Sequence, residues 1–313
     1  MGRVKQLAVK KKDFLTLNNW TEEEIEHLVQ KAYLLKHQGG DDRLSGQILG
    51  MIFEKSSTRT RISFEVAMLQ LGGHAIHLPT RDIQLGRGET IEDTAKVMSR
   101  YVSAVMLRTN EHETIERFAE AADVPVINGL SDLYHPVQTL ADLLTIYEYK
   151  HDLKGRKIVY VGDGNNVAHS LMLGGALMGM DVVIACPNGY EPNGSITQRA
   201  IEKANASGGT VSITHHKDEA VQGADAIYTD VWASMGQEEE SEARKAVFAP
   251  FQVSEASMKL AKPDCLFMHC LPAHRGEEVE AEVLDGSQSV VFDQAENRLH
   301  AQKALLLYLL RDH

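Results

Sequence analysis

Short apolar runs alternate with longer amphipathic stretches along most of this chain, and that alternation leaves few folds open. Strand-like runs fall at Ile48–Phe53, 75–78, 104–107 and 124–127. Helix-like stretches at 21–37, 58–71, 90–101 and 111–122 lie around and between them. A second series follows, with strands at Lys157–Val161, Asp181–Ala185, 211–214, 226–232, 265–269 and 289–292. Its helices fill 167–178, 196–206 and the region of Met258. Strand–helix alternation implies βαβ units and parallel sheets. The expectation is an α/β protein of two domains, each with a mainly parallel sheet flanked by helices, and an active-site cleft between them. The amphipathic stretch 136–150 has no strand of its own and reads as a connecting helix. Boundaries then fall at 1–135, joined by a C-terminal helix 296–313, and at 151–295.

In open parallel sheets, ligands sit outside the carboxyl ends of the strands, so the residues there carry the functional argument. The first strand runs into Ser56-Ser57-Thr58-Arg59-Thr60-Arg61, four hydroxyls and two guanidiniums at a helix start. Helix N-termini favour anions through free N–H groups and the dipole. Hydroxyls and the planar arginine fork add donors that match phosphate. Two arginines at the positive end of a helix conflict with its dipole, which suggests that a ligand supplies the negative charge. A capped start with solvated arginines is the plainer alternative.

The remaining strand ends are individually weaker. Arg108 closes the run 104–107, and His135-Pro136-Val137-Gln138 opens the connecting helix with two side chains able to donate to a carbonyl. Gly162-Asp163-Gly164-Asn165-Asn166-Val167-Ala168 invites a dinucleotide reading. Its spacing is GxGxxxA, however, and the next strand offers no acid for a ribose hydroxyl, so NAD is disfavoured. Asp230 precedes Ser234-Met235-Gly236, and His269-Cys270-Leu271-Pro272 closes a further strand. His and Cys together raise a thiol nucleophile or a metal, but the ligand spacing for a metal is poor.

Net charge of −12 withholds global support from nucleic-acid binding. Three cysteines without a CxxC pair point to a reducing cytoplasm. A basic N-terminus without an apolar stretch is not a secretory signal, and no apolar run is long enough for a membrane helix.

Taken in order, Ser-Thr-Arg-Thr-Arg, His-Pro-x-Gln, Asp-x-x-x-Ser-Met-Gly and His-Cys-Leu-Pro span nearly the full chain and resemble the aspartate/ornithine carbamoyltransferases. The last two are similar to the ornithine branch; the aspartate branch would carry His-Pro-Leu-Pro-Arg at 269–273. The resemblance implies carbamoyl transfer from carbamoyl phosphate to L-ornithine, within arginine metabolism and without a cofactor or metal. It implies that Ser57, Thr58, Arg59 and Thr60 bind the phosphate, and that Arg108, His135 and Gln138 hold the carbamoyl group. Pro136 and Val137 lie in the same contact; relatives often carry a small polar residue or cysteine at 137. The resemblance also implies that Arg298 is a second carbamoyl phosphate contact and that Cys270 and Leu271 lie where the substrates meet. Asn166, Asp230, Ser234 and Met235 match the ornithine-binding positions. Gln84 resembles a residue lent by a neighbouring subunit, which implies a homotrimer. Within the family, putrescine or an acylated ornithine is the rival acceptor.

Overall fold

The computed structural model describes residues 11–38, 41–84, 88–233 and 241–312. Backbone contacts divide the chain into two units. One comprises Met1–Leu15, Gln38–Asp132 and Gln302–His313; the other comprises Thr16–His37 and Leu133–Ala301.

Helix α1 (Glu22–His37) belongs to the second unit. The first unit then runs β1 (Ile48–Phe53), α2 (Thr58–Gln70), β2 (His74–Pro79), α3 (Ile91–Met98), β3 (Ala104–Arg108), α4 (His112–Ala121) and β4 (Val126–Leu130). Its four strands are parallel, in the order β2-β1-β3-β4. The core beneath them gathers Ile52, Val105, Leu107, Ile115, Phe118 and Val126, all buried. The inner strands β1 and β3 are apolar because both faces of a parallel sheet are covered, whereas the edge strand β2 is only partly buried. The order places a reversal between β1 and β3: β1 is followed outward by β2, and the chain returns to lay β3 on its other side. That reversal is a topological switch point, where a crevice opens at the strand ends.

The second unit continues with α5 (Pro136–Lys150), β5 (Lys157–Val161), α6 (Asn166–Leu177), β6 (Asp181–Ala185), α7 (Gly194–Ser207), β7 (Thr210–Thr214), α8 (Lys217–Val221) and β8 (Ala226–Thr229). After it come α9 (Ser241–Phe248), α10 (Glu255–Leu260), β9 (Leu266–His269), α11 (Ala281–Leu284) and α12 (Val291–Leu310). The sheet is parallel, in the order β7-β6-β5-β8-β9. Its switch point lies between β5 and β8. Helix α6 is buried from Val167 to Leu177, which its apolar composition requires.

One expected strand does not form. The run at 289–292 makes a single bridge, Phe267 to Ser289. Helix α12 begins at Val291, earlier than the expected 296. The β-branched pair Val290-Val291 suggested a strand, but both residues are buried one turn from Gln294, which is also buried, while Phe292 points outward. Helical burial outweighs local β-propensity here.

Candidate active site

The two switch points carry most of the residues singled out above. In the first unit, Phe53 pairs with Arg108 across β1 and β3, so the hydroxyl-rich turn and the arginine leave adjacent strands side by side. The backbone N–H of Glu54 donates to the Arg108 carbonyl at 2.9 Å, and the Glu54 carboxylate accepts from the Asn110 N–H at 2.8 Å. These bonds fix the turn that leads into α2. Ser57 is the N-cap: its Oγ accepts from the Thr60 N–H at 3.2 Å. Thr58, Arg59 and Thr60 are therefore the first three helical residues. Arg108 Nη1 donates to Thr60 Oγ1 at 3.5 Å, and both side chains are buried. Arg59 is half-buried, whereas Arg61 faces outward and pairs loosely with Glu65 at 3.9 Å. A register shift between Leu107 and Arg108 sets the β3 end against Leu130. Gln84 is exposed, beyond the edge strand β2.

In the second unit, His135 is the N-cap residue of α5, with Pro136 at the first helical position. That is where a missing N–H costs nothing. The His135 N–H donates to Ser170 Oγ at 2.8 Å. Val137 is fully buried. Gln138 accepts from Arg298 Nη1 at 2.7 Å, so two of the expected carbamoyl phosphate contacts meet directly.

The switch point between β5 and β8 is a carboxylate site. Asp230 follows β8 and is buried. Its Oδ1 accepts from Cys270 Sγ at 3.0 Å and from the Val231 N–H at 2.8 Å. Its Oδ2 accepts from Asn165 Nδ2 at 3.0 Å. Asn165 in turn caps α6, its Oδ1 accepting from the N–H groups of Val167 and Ala168 and from Tyr160 at 3.2 Å. Asn166, the expected ligand residue, is the first residue of α6 and is half-buried. Ser234 and Met235 lie outside the described residues.

A side chain at Gly164 would collide with the Pro192 nitrogen and the Glu191 carbonyl carbon, so close approach of the backbone explains that glycine.

His269 is fully buried, and the bonds at its two nitrogens define its state. Nδ1 lies 2.9 Å from the Leu271 N–H and must accept, so the ring proton sits on Nε2, facing Glu278 Oε1 at 3.2 Å. Burial opposes ionisation of Glu278, yet the hydrogen bonds from His269 and the His274 N–H hold its carboxyl below the usual range. The anchored Leu271 has φ of +59°, beyond which Leu271-Pro272 is cis. Asp230, His269 and Cys270 place ligand-type atoms within 4.8 Å of one another. The bonds just described already engage those atoms.

Two supports lacked a sequence signal. Arg244 on α9 pairs with Asp163, donates to the Trp232 carbonyl at 2.5 Å and lies over the rings of Tyr190 and Phe248. It ties the turn after β5 to the turn after β8. Burial still pushes the Asp163 carboxyl up, with Arg244 acting against it. Asp142 and its partners are the second support.

Residues 12–148 match the family model described as the aspartate/ornithine carbamoyltransferase carbamoyl-P binding domain, and residues 154–309 match the Asp/Orn binding domain. A curated relative from Anoxybacillus flavithermus, named ornithine carbamoyltransferase, is 58% identical over 314 residues, covering 99% of this chain and 100% of that one. One from Bacillus subtilis with the same name is 57% identical, covering 99% of this chain and 97% of that one. The solved ornithine carbamoyltransferase from Pyrococcus furiosus superimposes with a TM-score of 0.93 at 55% identity, covering 97% of this chain and 98% of that one. This chain belongs to the aspartate/ornithine carbamoyltransferase family.

Proposed function

We infer that the chain transfers the carbamoyl group of carbamoyl phosphate to the δ-amine of L-ornithine, giving L-citrulline and phosphate. What supports this is that a chain with full-length relatives of that name has an anion-type helix start in its first unit and a buried carboxylate in its second. Ser57 to Thr60 and Arg108, the contacts for the phosphate and carbonyl, belong to the first unit; His135, Gln138, Arg298 and the ornithine contacts belong to the second.

The chemistry sets three demands. The δ-amine must be neutral to attack, although an alkyl ammonium titrates near ~10. The carbonyl oxygen gains charge as the nitrogen adds, and Thr60, Arg108 and His135 are the donors for it. The C–O bond to phosphate then breaks. The phosphate leaves with the electron pair, takes up the proton released by the attacking nitrogen, and is stabilised by Ser57, Thr58, Arg59, Arg298 and the α2 N-terminus. Asp230 pairs with the α-ammonium; Asn166 and Met235 receive the α-carboxylate.

Cys270 orients the amine and does not form a covalent intermediate. Its Sγ lies 3.0 Å from the Asp230 carboxylate, so a thiolate there would face a like charge. Mass spectrometry of enzyme quenched during turnover is expected to find Cys270 unmodified; a carbamoyl adduct on it overturns this role.

The deciding assay measures citrulline or its analogue with ornithine, putrescine and Nα-acetylornithine in parallel. Ornithine is expected to exceed both by at least about 10²-fold in kcat/KM, since each rival lacks one charged group that the site pairs. A preference for either rival would reassign the acceptor.

The chain works as a homotrimer, with Gln84 reaching the carbamoyl phosphate site of a neighbouring copy. Supporting this, Gln84 is exposed, β2 is an edge strand, and Ile62, Leu69 and Ile76 expose apolar side chains on α2 and β2. Light scattering should give the trimer mass. Gln84→Ala should stay trimeric and lose about tenfold or more in kcat/KM. Mixing dissociated Gln84→Ala and Arg59→Ala subunits should restore part of the activity; no recovery on mixing counts against a shared site.

A further inference from the structure

Asp142 sits one turn after Gln138 on α5 and is fully buried. Its Oδ1 accepts from three donors: Gln138 Nε2 at 2.9 Å, Gln294 Nε2 at 2.7 Å and the Tyr228 hydroxyl at 3.4 Å. The amides are engaged at their other ends too. Gln138 Oε1 accepts from Arg298 Nη1 at 2.7 Å, and Gln294 Oε1 accepts the backbone N–H of His269 at 2.9 Å. A carboxyl oxygen that only accepts dictates which way each amide faces. The nitrogen of Gln138 must point at Asp142, and its oxygen at Arg298.

A carboxyl in such a place opposes folding. Burial pushes it up to about 7, and the bonds from Gln138 and Gln294, the charge of Arg298 and the Tyr228 bond offset only part of that. Its Oδ2 has no hydrogen-bond partner among the described residues. An apolar residue of similar volume would suit this helix face better on packing grounds alone. The group that gains from the carboxyl is Gln138, and behind it Arg298.

We propose that Asp142 is a positioning residue for carbamoyl phosphate: it holds the Gln138 amide in one orientation and, through the Gln138 oxygen, fixes the Arg298 guanidinium. Gln294 anchors the same carboxyl to the end of β9, so the orientation is set by two elements and not by α5 alone. The inference rests on the carbamoyl-transfer reading above. A mispositioned contact costs far more than its own hydrogen bond, because reacting groups must be held within about half an ångström.

Three variants test it by citrulline formation, with each substrate varied in turn. D142L removes the acceptor while keeping the volume. The expected result is a KM for carbamoyl phosphate raised about tenfold or more, a lowered kcat, and a KM for ornithine within about threefold of wild type. D142N keeps one acceptor oxygen and should restore carbamoyl phosphate KM to within about threefold. In a Gln138→Ala background, D142L should add less than about threefold, because the two act as a unit. An unchanged carbamoyl phosphate KM in D142L, equal rises for both substrates, or full multiplicativity with Gln138→Ala overturns the proposal. If D142L does not accumulate folded, Q294L supplies the answer: it cuts the tie to β9 and should raise the carbamoyl phosphate KM about threefold while sparing ornithine, and no change overturns the proposal. A wild-type protein that makes no citrulline would sink the carbamoyl-transfer reading itself, a result distinct from any difference between variants.

Discussion

Arg59→Ala is expected to lower kcat/KM for carbamoyl phosphate by about 10²–10³-fold while leaving the folded protein as stable as before, or slightly more so. The kinetic half follows from where charge develops. Arg59 is the second residue of α2, directly behind the Ser57 cap, and is half-buried. A preorganised donor to a departing phosphate acts where the transition state is most charged, and losing one such donor costs about 3–4 kcal/mol. The stability half follows from the dipole. A cation in the first turn of a helix is disfavoured by a few tenths of a kcal/mol or more, and relief of that term offsets the contacts the side chain gives up. Arg59→Lys should recover only part of the activity, because an ammonium cannot reproduce the fork. Arg61→Ala is the control: that side chain is 49% exposed and its Glu65 contact is 3.9 Å long, so it should change activity by less than about twofold. Steady-state kinetics at saturating ornithine, with a thermal melt of each variant, reads both halves. Near-normal kcat/KM in Arg59→Ala, or equal losses in the two alanine variants, would sink the phosphate assignment.

That two arginines separated by one residue part company shows how far sequence reasoning reaches. The turn was legible because its chemistry is local: cap, hydroxyls and guanidiniums all fall within six residues. The inner strands of the two parallel sheets were legible for a related reason, since strands covered on both faces read as unbroken apolar runs. Strand ends then pointed to Arg108, Asp230 and Cys270 without any knowledge of what touches them. What stayed hidden is what depends on distant residues. Asn165 serves the Asp230 site, and it looks like its neighbour Asn166 until it is seen capping α6 and donating to Asp230. Asp142 meets Gln294 across 152 positions, and Arg244 meets Asp163 across 81. No periodicity reports pairs of that kind. The strand expected at 289–292 failed for a related reason: β-branched residues announce a local preference, and the burial of α12 overrode it.

Asp230→Asn is expected to cost about 10²–10³-fold in kcat/KM for ornithine while moving the KM for carbamoyl phosphate by less than about threefold. Truncating the charge of a buried, hydrogen-bonded pair costs about 2–5 kcal/mol, most of it because the partner charge is left unmatched. On the proposed assignment that partner is the α-ammonium of the acceptor. A second cost arises inside the protein. Among the described residues, the hydrogen-bond partners of the Asp230 carboxylate are donors: Cys270 Sγ, the Val231 N–H and Asn165 Nδ2. An asparagine amide must turn its own N–H₂ toward one of them, donor against donor. Asn165 cannot simply flip in response, because its oxygen caps α6, and losing a cap costs about 1 kcal/mol. The displaced group is therefore expected to be the Cys270 thiol or Asn165 itself, and kcat should fall along with the rise in ornithine KM. The acceptor preference supplies the sharper test. Nα-acetylornithine carries no charge at the α-nitrogen, so it has nothing to lose when the carboxylate is neutralised. The ratio of kcat/KM for ornithine over Nα-acetylornithine should shrink by at least about tenfold in Asp230→Asn. A ratio that holds steady while both rates fall would mean that Asp230 supports the turn after β8 and does not read the α-ammonium.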